Sequence, residues 1–204
     1  MKLAIYQTSD LHGYVYPTNY VIDQSLGILK IGSYILKDEK NYDASLKIDC
    51  GDLIQGSALS HYLSKKDIID NPIIQGLGLI GYNVYVLGNH EFNYGLDYLS
   101  NSYKLVSDKV LNANIKGLPF NTKPYEIFDF DGFKVACIGL TTSFIPNWEH
   151  ESNISNLHFL DPVEMYRKYE SELKEQSDFI IVCYHGGFEK IVDEIMTPTE
   201  KLTK

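Results

Sequence analysis

The chain has 204 residues, 44% of them hydrophobic and 22% charged, which is the balance of a globular protein long enough to bury a core. Its formal net charge of -9 weighs against a nucleic-acid polymer as partner, because phosphate backbones recruit an excess of lysine and arginine. A small phosphorylated substrate stays open, provided that something other than surface lysines neutralises it, and a metal would do so.

Taken in chain order, residues 1–7 (MKLAIYQ) run straight into a strand pattern. They lack the basic head, apolar stretch and cleavage site of a secretory signal, so a cytoplasmic protein is the expectation. No apolar run approaches the roughly 18 residues that a membrane helix needs, and no membrane partner is expected. Five apolar segments read as buried strands: 3–6 (LAIY), 46–50 (LKIDC), 84–87 (VYVL), 135–140 (VACIGL) and 179–184 (FIIVCY). Between them apolar residues recur at helical spacing: Ile28, Ile31 and Ile35; Leu96, Leu99, Tyr103 and Val106; Tyr166, Tyr169 and Leu173.

Asp131-Gly132 joins 125–130 to 133–136 as a tight hairpin. Asp161-Pro162-Val163-Glu164 places a capping aspartate, a first-position proline and a capping-box glutamate at a helix start. Residues 191–196 (IVDEIM) read as a last helix before a polar tail, with no further strand, so the layered sheet is expected to be incomplete at the C-terminus. The alternation predicts an α/β protein with a mostly parallel sheet plus a hairpin and helices outside. Cys50, Cys137 and Cys183 sit in apolar runs without Cys-x-x-Cys spacing and read as buried free thiols.

The carboxyl ends of four of these strands run into polar loops. The first strand ends in Thr8-Ser9-Asp10-Leu11-His12-Gly13, the second in Asp49-Cys50-Gly51-Asp52, the third in Gly88-Asn89-His90, and the last in Tyr184-His185-Gly186-Gly187. Ligands bind beyond the carboxyl ends of parallel strands, where such loops converge. Imidazole, carboxylate and amide oxygen without thiolate are donors for divalent metals, and a carboxylate such as Asp52 can bridge two ions. Singly, each residue has an ordinary reading as a turn, a cap or a surface histidine. Their joint appearance at four strand ends favours a metal site over four unrelated accidents.

Asp10-Leu11-His12, Gly51-Asp52, Gly88-Asn89-His90-Glu91 and the later His185 resemble the ordered motifs of the calcineurin-like metallophosphoesterases. TSDLHGYVYPTNY, DCGDLIQGS and LGNHEFNYGLDYL resemble the branch with bacterial 5′-nucleotidases and 2′,3′-cyclic-nucleotide 2′-phosphodiesterases, over nearly the whole chain. The resemblance implies two divalent metals, with manganese, zinc, iron or cobalt all acceptable to the donor set. It implies that Asp10, His12 and bridging Asp52 hold one ion while Asp52, Asn89 and His185 hold the other. His90 would face the phosphate and help the leaving group depart, and a metal-bridging hydroxide would attack phosphorus in line.

Asn93 departs from the aspartate common in the 5′-nucleotidase pattern. An asparagine orients the catalytic imidazole of His90 without adding charge, and GNHEFNYG looks more like the cyclic-phosphodiesterase branch; Asn93 also reads as an N-cap before Leu96. The resemblance makes residues 1–204 an N-terminal metallophosphoesterase domain. A later Gly-His-x-His or Gly-His-x-Gln block and a C-terminal domain with a base-stacking aromatic pair belong to the family pattern, and neither occurs in this sequence. The family is often exported, which competes with the cytoplasmic reading. His61, His150 and His158 read as surface or loop residues, and none of the sixteen tyrosines is assigned to substrate. The expected function is therefore dinuclear-metal hydrolysis of small nucleotide phosphoesters, 2′,3′-cyclic nucleotides first. The rivals are a 5′-nucleotidase or nucleotide-sugar hydrolase, and a non-catalytic binding module that keeps the fold.

Overall fold

A computed structural model describes residues 1–19, 22–23 and 26–187; the helix expected at 191–196 lies outside them. Strand β1 (Leu3–Thr8) leads into a short antiparallel pair, β2 (Thr18–Asn19) and β3 (Ile22–Asp23), and then helix α1 (Ile28–Asp38). Strand β4 (Ala44–Asp49) is followed by helices α2 (Ala58–Ser64) and α3 (Pro72–Ile80), strand β5 (Val84–Val86) and helix α4 (Gly95–Tyr103). Short strands β6 (Val110–Leu111) and β7 (Ile115–Lys116) precede the hairpin of β8 (Tyr125–Phe130) and β9 (Phe133–Thr141). Strand β10 (His158–Phe159), helix α5 (Pro162–Gln176) and strand β11 (Phe179–His185) complete the described chain.

All five expected strands form, but two sheets share them. One is parallel, in the order β1-β4-β5-β6; the other runs β11-β9-β8, with β9 parallel to β11 and antiparallel to β8. Period-two alternation makes this division work. Leu46, Ile48, Val84 and Val86 of the first sheet face Val135, Cys137 and Cys183 of the second in one buried cluster. The alternate residues point outward: Tyr85 and Leu87 pack under α1, α3 and α4, while Ala136, Ile138 and Leu140 pack under α5. Strands buried on both faces are continuously apolar, which is why hydropathy alone cannot say that they belong to different sheets. The three cysteines are buried and free, as expected.

Local signals worked where they were complete. Asp131 (φ 52) and Gly132 (φ 92) make the left-handed pair that a two-residue hairpin requires. Asp161 accepts from the Val163 and Glu164 amides at 2.8 and 3.0 Å and caps α5. Asp161→Ala is expected to cost about 1 kcal/mol, read as a lower denaturant midpoint with an unchanged slope. Helix α4 stops at Tyr103, short of Val106, which lies in a 3-10 segment, Lys104–Lys109, where the Ser107 hydroxyl bonds back to the Lys104 carbonyl. Helix α3 was not expected, since Gly76 and Gly78 disguise it. Its start is nevertheless well made by Asn71, whose side chain accepts from the Ile73 amide, and by Pro72.

Candidate metal centre

The parallel ladder continues past its strands and carries the loops with it. Thr8 pairs with Asp49, and beyond them the Asp10 amide donates to the Gly51 carbonyl at 2.9 Å and the His12 amide to the Asp52 carbonyl at 2.8 Å. Gly51 (φ 92) and Gly88 let the second and third loops press together: a Cβ on Gly51 would lie 2.7 Å from Gly88 Cα. Asp10 (φ 56), His12 (φ 48) and Asp52 (φ 58) all adopt left-handed backbone, uncommon for residues with a Cβ. Such conformations cost of order 1 kcal/mol each and persist where surrounding structure over-determines them, often at functional sites.

Ligand atoms of Asp10, Asp52 and His185 lie within 4.8 Å of one another. His185 Nε2 stands 3.4 Å from Asp52 Oδ2 and 3.2 Å from Asn89 Oδ1, and His12 Nε2 stands 3.9 Å from Asp10 Oδ1. All five candidate ligands therefore come to one place, with Asp52, 3% exposed, in the middle. His90 lies beside them, its Nε2 4.0 Å from Asp52 Oδ2 and its ring 5.4 Å from that of His12, centroid to centroid. His61, His150 and His158 are exposed and outside the cluster. Asn93 does not cap α4, whose N-cap is Tyr94; its side-chain oxygen stands 2.6 Å from His90 Nδ1 instead.

The donors fit a divalent cation. His185 Nδ1 bonds the Cys50 carbonyl at 2.6 Å and His12 Nδ1 bonds the Gln55 carbonyl at 2.8 Å. A carbonyl only accepts, so each Nδ1 carries the proton, and each Nε2 of the neutral ring turns a lone pair inward, as metal-ligating imidazoles do. At His185 that lone pair meets two further acceptors, Asp52 Oδ2 and Asn89 Oδ1, an arrangement that needs a positive charge between them. Without metal a proton serves. Burial works against the imidazolium, but the Asp52 carboxylate outweighs it and pushes the His185 pKa up to about 9. For Asp52, burial opposes the charged form, yet His185, the His90 amide and the His90 ring hold its pKa below the usual value. A divalent ion would displace that proton and take the same place.

Two buried carboxylates that sequence reasoning left unassigned support the loops. Glu91, 1% exposed, accepts from the Asp52 amide (2.8 Å) and the Gly88 amide (2.6 Å) on one oxygen, and from the Leu53 amide (2.6 Å) on the other. It thereby ties the Asp52 loop to the Asn89-His90 loop. Burial and the neighbouring Asp52 charge raise its pKa, while the Leu53 and Asp52 amides pull it back. Asp49 lies beneath, accepting from the Thr8 hydroxyl at 2.7 Å and the Gly51 amide at 3.1 Å, with burial driving its pKa well up. The only signal for Glu91 was its place inside GNHE. A cavity of about 320 Å³, lined by Asn71, Ile74, Leu79, Leu105 and Val106, lies away from these residues.

Known proteins resemble this chain over most of its length. The profile of the family described as calcineurin-like phosphoesterase matches residues 3–200. A 2′,3′-cyclic-nucleotide 2′-phosphodiesterase/3′-nucleotidase of Salmonella typhimurium is 33% identical over 92% of this chain and 32% of its own length. A 5′-nucleotidase of Vibrio cholerae is 31% identical over 91% of this chain and 34% of its own. The crystal structure of the calcineurin-like phosphoesterase YfkN from Bacillus subtilis superposes with a TM-score of 0.80 at 30% identity, covering 94% of this chain and 64% of that one. The chain spans about a third of the length of each of these two curated relatives.

Proposed function

We propose, from the premise that this chain belongs to the calcineurin-like phosphoesterase family, that it hydrolyses small nucleotide phosphoesters, with 2′,3′-cyclic nucleotides as preferred substrates. The observation that carries this reading is the meeting of Asp10, Asp52 and His185 ligand atoms within 4.8 Å, with the His90 imidazole alongside. Asp10, His12, Asp52, Asn89 and His185 are the residues that would hold two divalent ions, Asp52 between them. Bound there, such ions would supply Lewis-acid stabilisation of the phosphate and a water acidified toward neutral pH.

The protein's own groups account for the rest. His90 presents Nε2 on the side of the ligand cluster; as the imidazolium it can bond a phosphate oxygen there and deliver its Nε2 proton to the departing ribose oxygen, keeping the Nδ1 proton. Asn93 holds the other ring nitrogen. Among the described residues the basic side chains within ion-pair distance of Asp10 and Asp52 are imidazoles, not lysine or arginine. The charge that balances the phosphate must therefore arrive with the metal, which suits a chain of net charge -9. Among the described residues no helix is long and apolar enough to cross a membrane.

Substrate preference is tested on the full-length protein supplied with manganese, comparing a 2′,3′-cyclic nucleotide, a nucleoside 5′-monophosphate and a nucleotide sugar. The cyclic diester is expected to be cleaved with a kcat/KM at least roughly tenfold above the others, a difference of about 1.4 kcal/mol. Preference for the 5′-monophosphate would establish a nucleotidase instead. Retention of metal without turnover of any of the three would leave a binding module.

A further inference from the structure

Glu149 lies in the loop after β9, between 3-10 segments Ile145–Asn147 and Glu151–Asn153, and buried Ile145 anchors that loop in the core. One oxygen of the Glu149 carboxylate accepts from Asn93 Nδ2. The other accepts from Asn153 Nδ2 at 2.9 Å and from the His150 amide at 2.8 Å. Asn153 Nδ2 also reaches the Asn93 carbonyl at 3.2 Å, so the loop grips both the side chain and the backbone of Asn93. A chain of contacts thus runs from Glu149 through Asn93 to His90, whose Nδ1 stands 2.6 Å from Asn93 Oδ1.

The polarity of this chain is set at its far end. A carboxamide has one donating and one accepting end, whereas a carboxylate only accepts. Asn93 must therefore turn its NH2 toward Glu149, because the reversed amide would set oxygen against carboxylate oxygen. That leaves Asn93 Oδ1 facing His90, and an oxygen can bond a ring nitrogen only if that nitrogen bears a proton. Nδ1 is then the protonated atom, and Nε2 faces the ligand cluster. With the charge of Glu149 removed, either amide orientation and either tautomer would satisfy the pair.

We propose that Glu149 is a positioning residue that sets the amide of Asn93 and, through it, the Nδ1–H tautomer of the neutral His90 ring, leaving Nε2 as the nitrogen that gains and gives the transferable proton on the substrate side. The catalytic consequence rests on the phosphoesterase reading; the tautomer does not. Asparagine at 93 and glutamate at 149 form a matched pair, and the match is reciprocal. Aspartate at 93 would face a second carboxylate, whereas aspartate at 93 with glutamine at 149 would restore a donor between them.

Two measurements on the full chain decide the matter. Nitrogen-15 spectra of the histidine rings, with His90 assigned through His90→Gln, read the tautomer in the metal-free protein. Wild type is expected to show Nδ1–H at His90, Glu149→Ala a mixture of the two tautomers, and Glu149→Gln, whose oxygen keeps the Asn153 and His150 donors while its NH2 faces Asn93, a shift toward Nε2–H. With manganese and an aryl phosphodiester, Glu149→Ala is expected to lower kcat roughly tenfold with KM nearly unchanged, and Asn93→Asp roughly a hundredfold. Asn93→Asp/Glu149→Gln should regain most of that loss, a coupling that a merely structural loop contact would not produce. A pure Nδ1–H signal persisting in Glu149→Ala would overturn the proposal, as would a double variant no faster than Asn93→Asp. If wild type fails to hydrolyse the diester, the phosphoesterase reading falls and the ring spectra still decide the role of Glu149.

Discussion

Asp52→Asn and Asp52→Ala are expected to lose most bound metal and at least about a thousandfold in hydrolysis, the sum of a lost ligand and a lost Lewis acid. Asp52 is nearly inaccessible, and its two oxygens serve different neighbours: Oδ1 accepts from the His90 amide at 2.8 Å, and Oδ2 lies 3.4 Å from His185 Nε2. Removing the carboxylate takes away the central negative charge and leaves His185 Nε2 without its anionic partner. The asparagine variant keeps a residue that tolerates left-handed backbone, and so separates loss of charge from strain at φ 58. His90→Ala should behave oppositely, keeping its metal while kcat falls by roughly 10² to 10⁴, the range for a positioned acid. Metal content after gel filtration, with initial rates on an aryl phosphodiester, distinguishes the two. Two ions retained in Asp52→Ala would refute the assignment of the bridge.

Glu91→Gln is expected to damage both stability and the site, although Glu91 faces neither solvent nor substrate. Each carboxylate oxygen serves strongly placed backbone donors: Asp52 and Gly88 on one, Leu53 on the other. A glutamine offers one oxygen and sets an NH2 against the remaining N–H groups. Leaving one or two buried amides unpaired, each worth about 1–3 kcal/mol, costs roughly 1–6 kcal/mol in all. The denaturant midpoint should fall accordingly. Metal affinity should fall with it, since the Asp52 and Asn89 loops would no longer share an anchor. A variant with wild-type stability and normal metal content would show that those amides find other partners.

Much of the fold was written locally. The apolar segments at 46–50, 84–87, 135–140 and 179–184 could hardly be anything but strands, the first three buried on both faces and the last half-buried at the edge of its sheet among the described residues, and Asp131-Gly132 and Asp161-Pro162 carried their own turn and cap chemistry. Helix α3 escaped because Gly76 and Gly78 lower helix propensity, and its apolar face shows its purpose only once α1 lies beside it; a Cβ on Gly76 would lie 3.4 Å from Ile28 Cγ2. Partition of the strands into two sheets escaped because pairing is a choice among partners far apart in the chain, and hydropathy is the same for every choice.

Of the candidate centre, residue types and their places at strand ends were legible, because the chemistry of a divalent cation restricts the donors to a short menu. The left-handed backbone at Asp10, His12 and Asp52, the carbonyls that aim two imidazoles, and the anchoring by Glu91 were not legible. Each arises from contacts between loops remote in sequence. Glu149 is the clearest case: 56 residues separate it from Asn93, and no spacing rule connects them. Side-chain chemistry is a property of the residue and can be read one letter at a time. Orientation, protonation and strain belong to what lies opposite, and they come into being only when the two sheets close on each other.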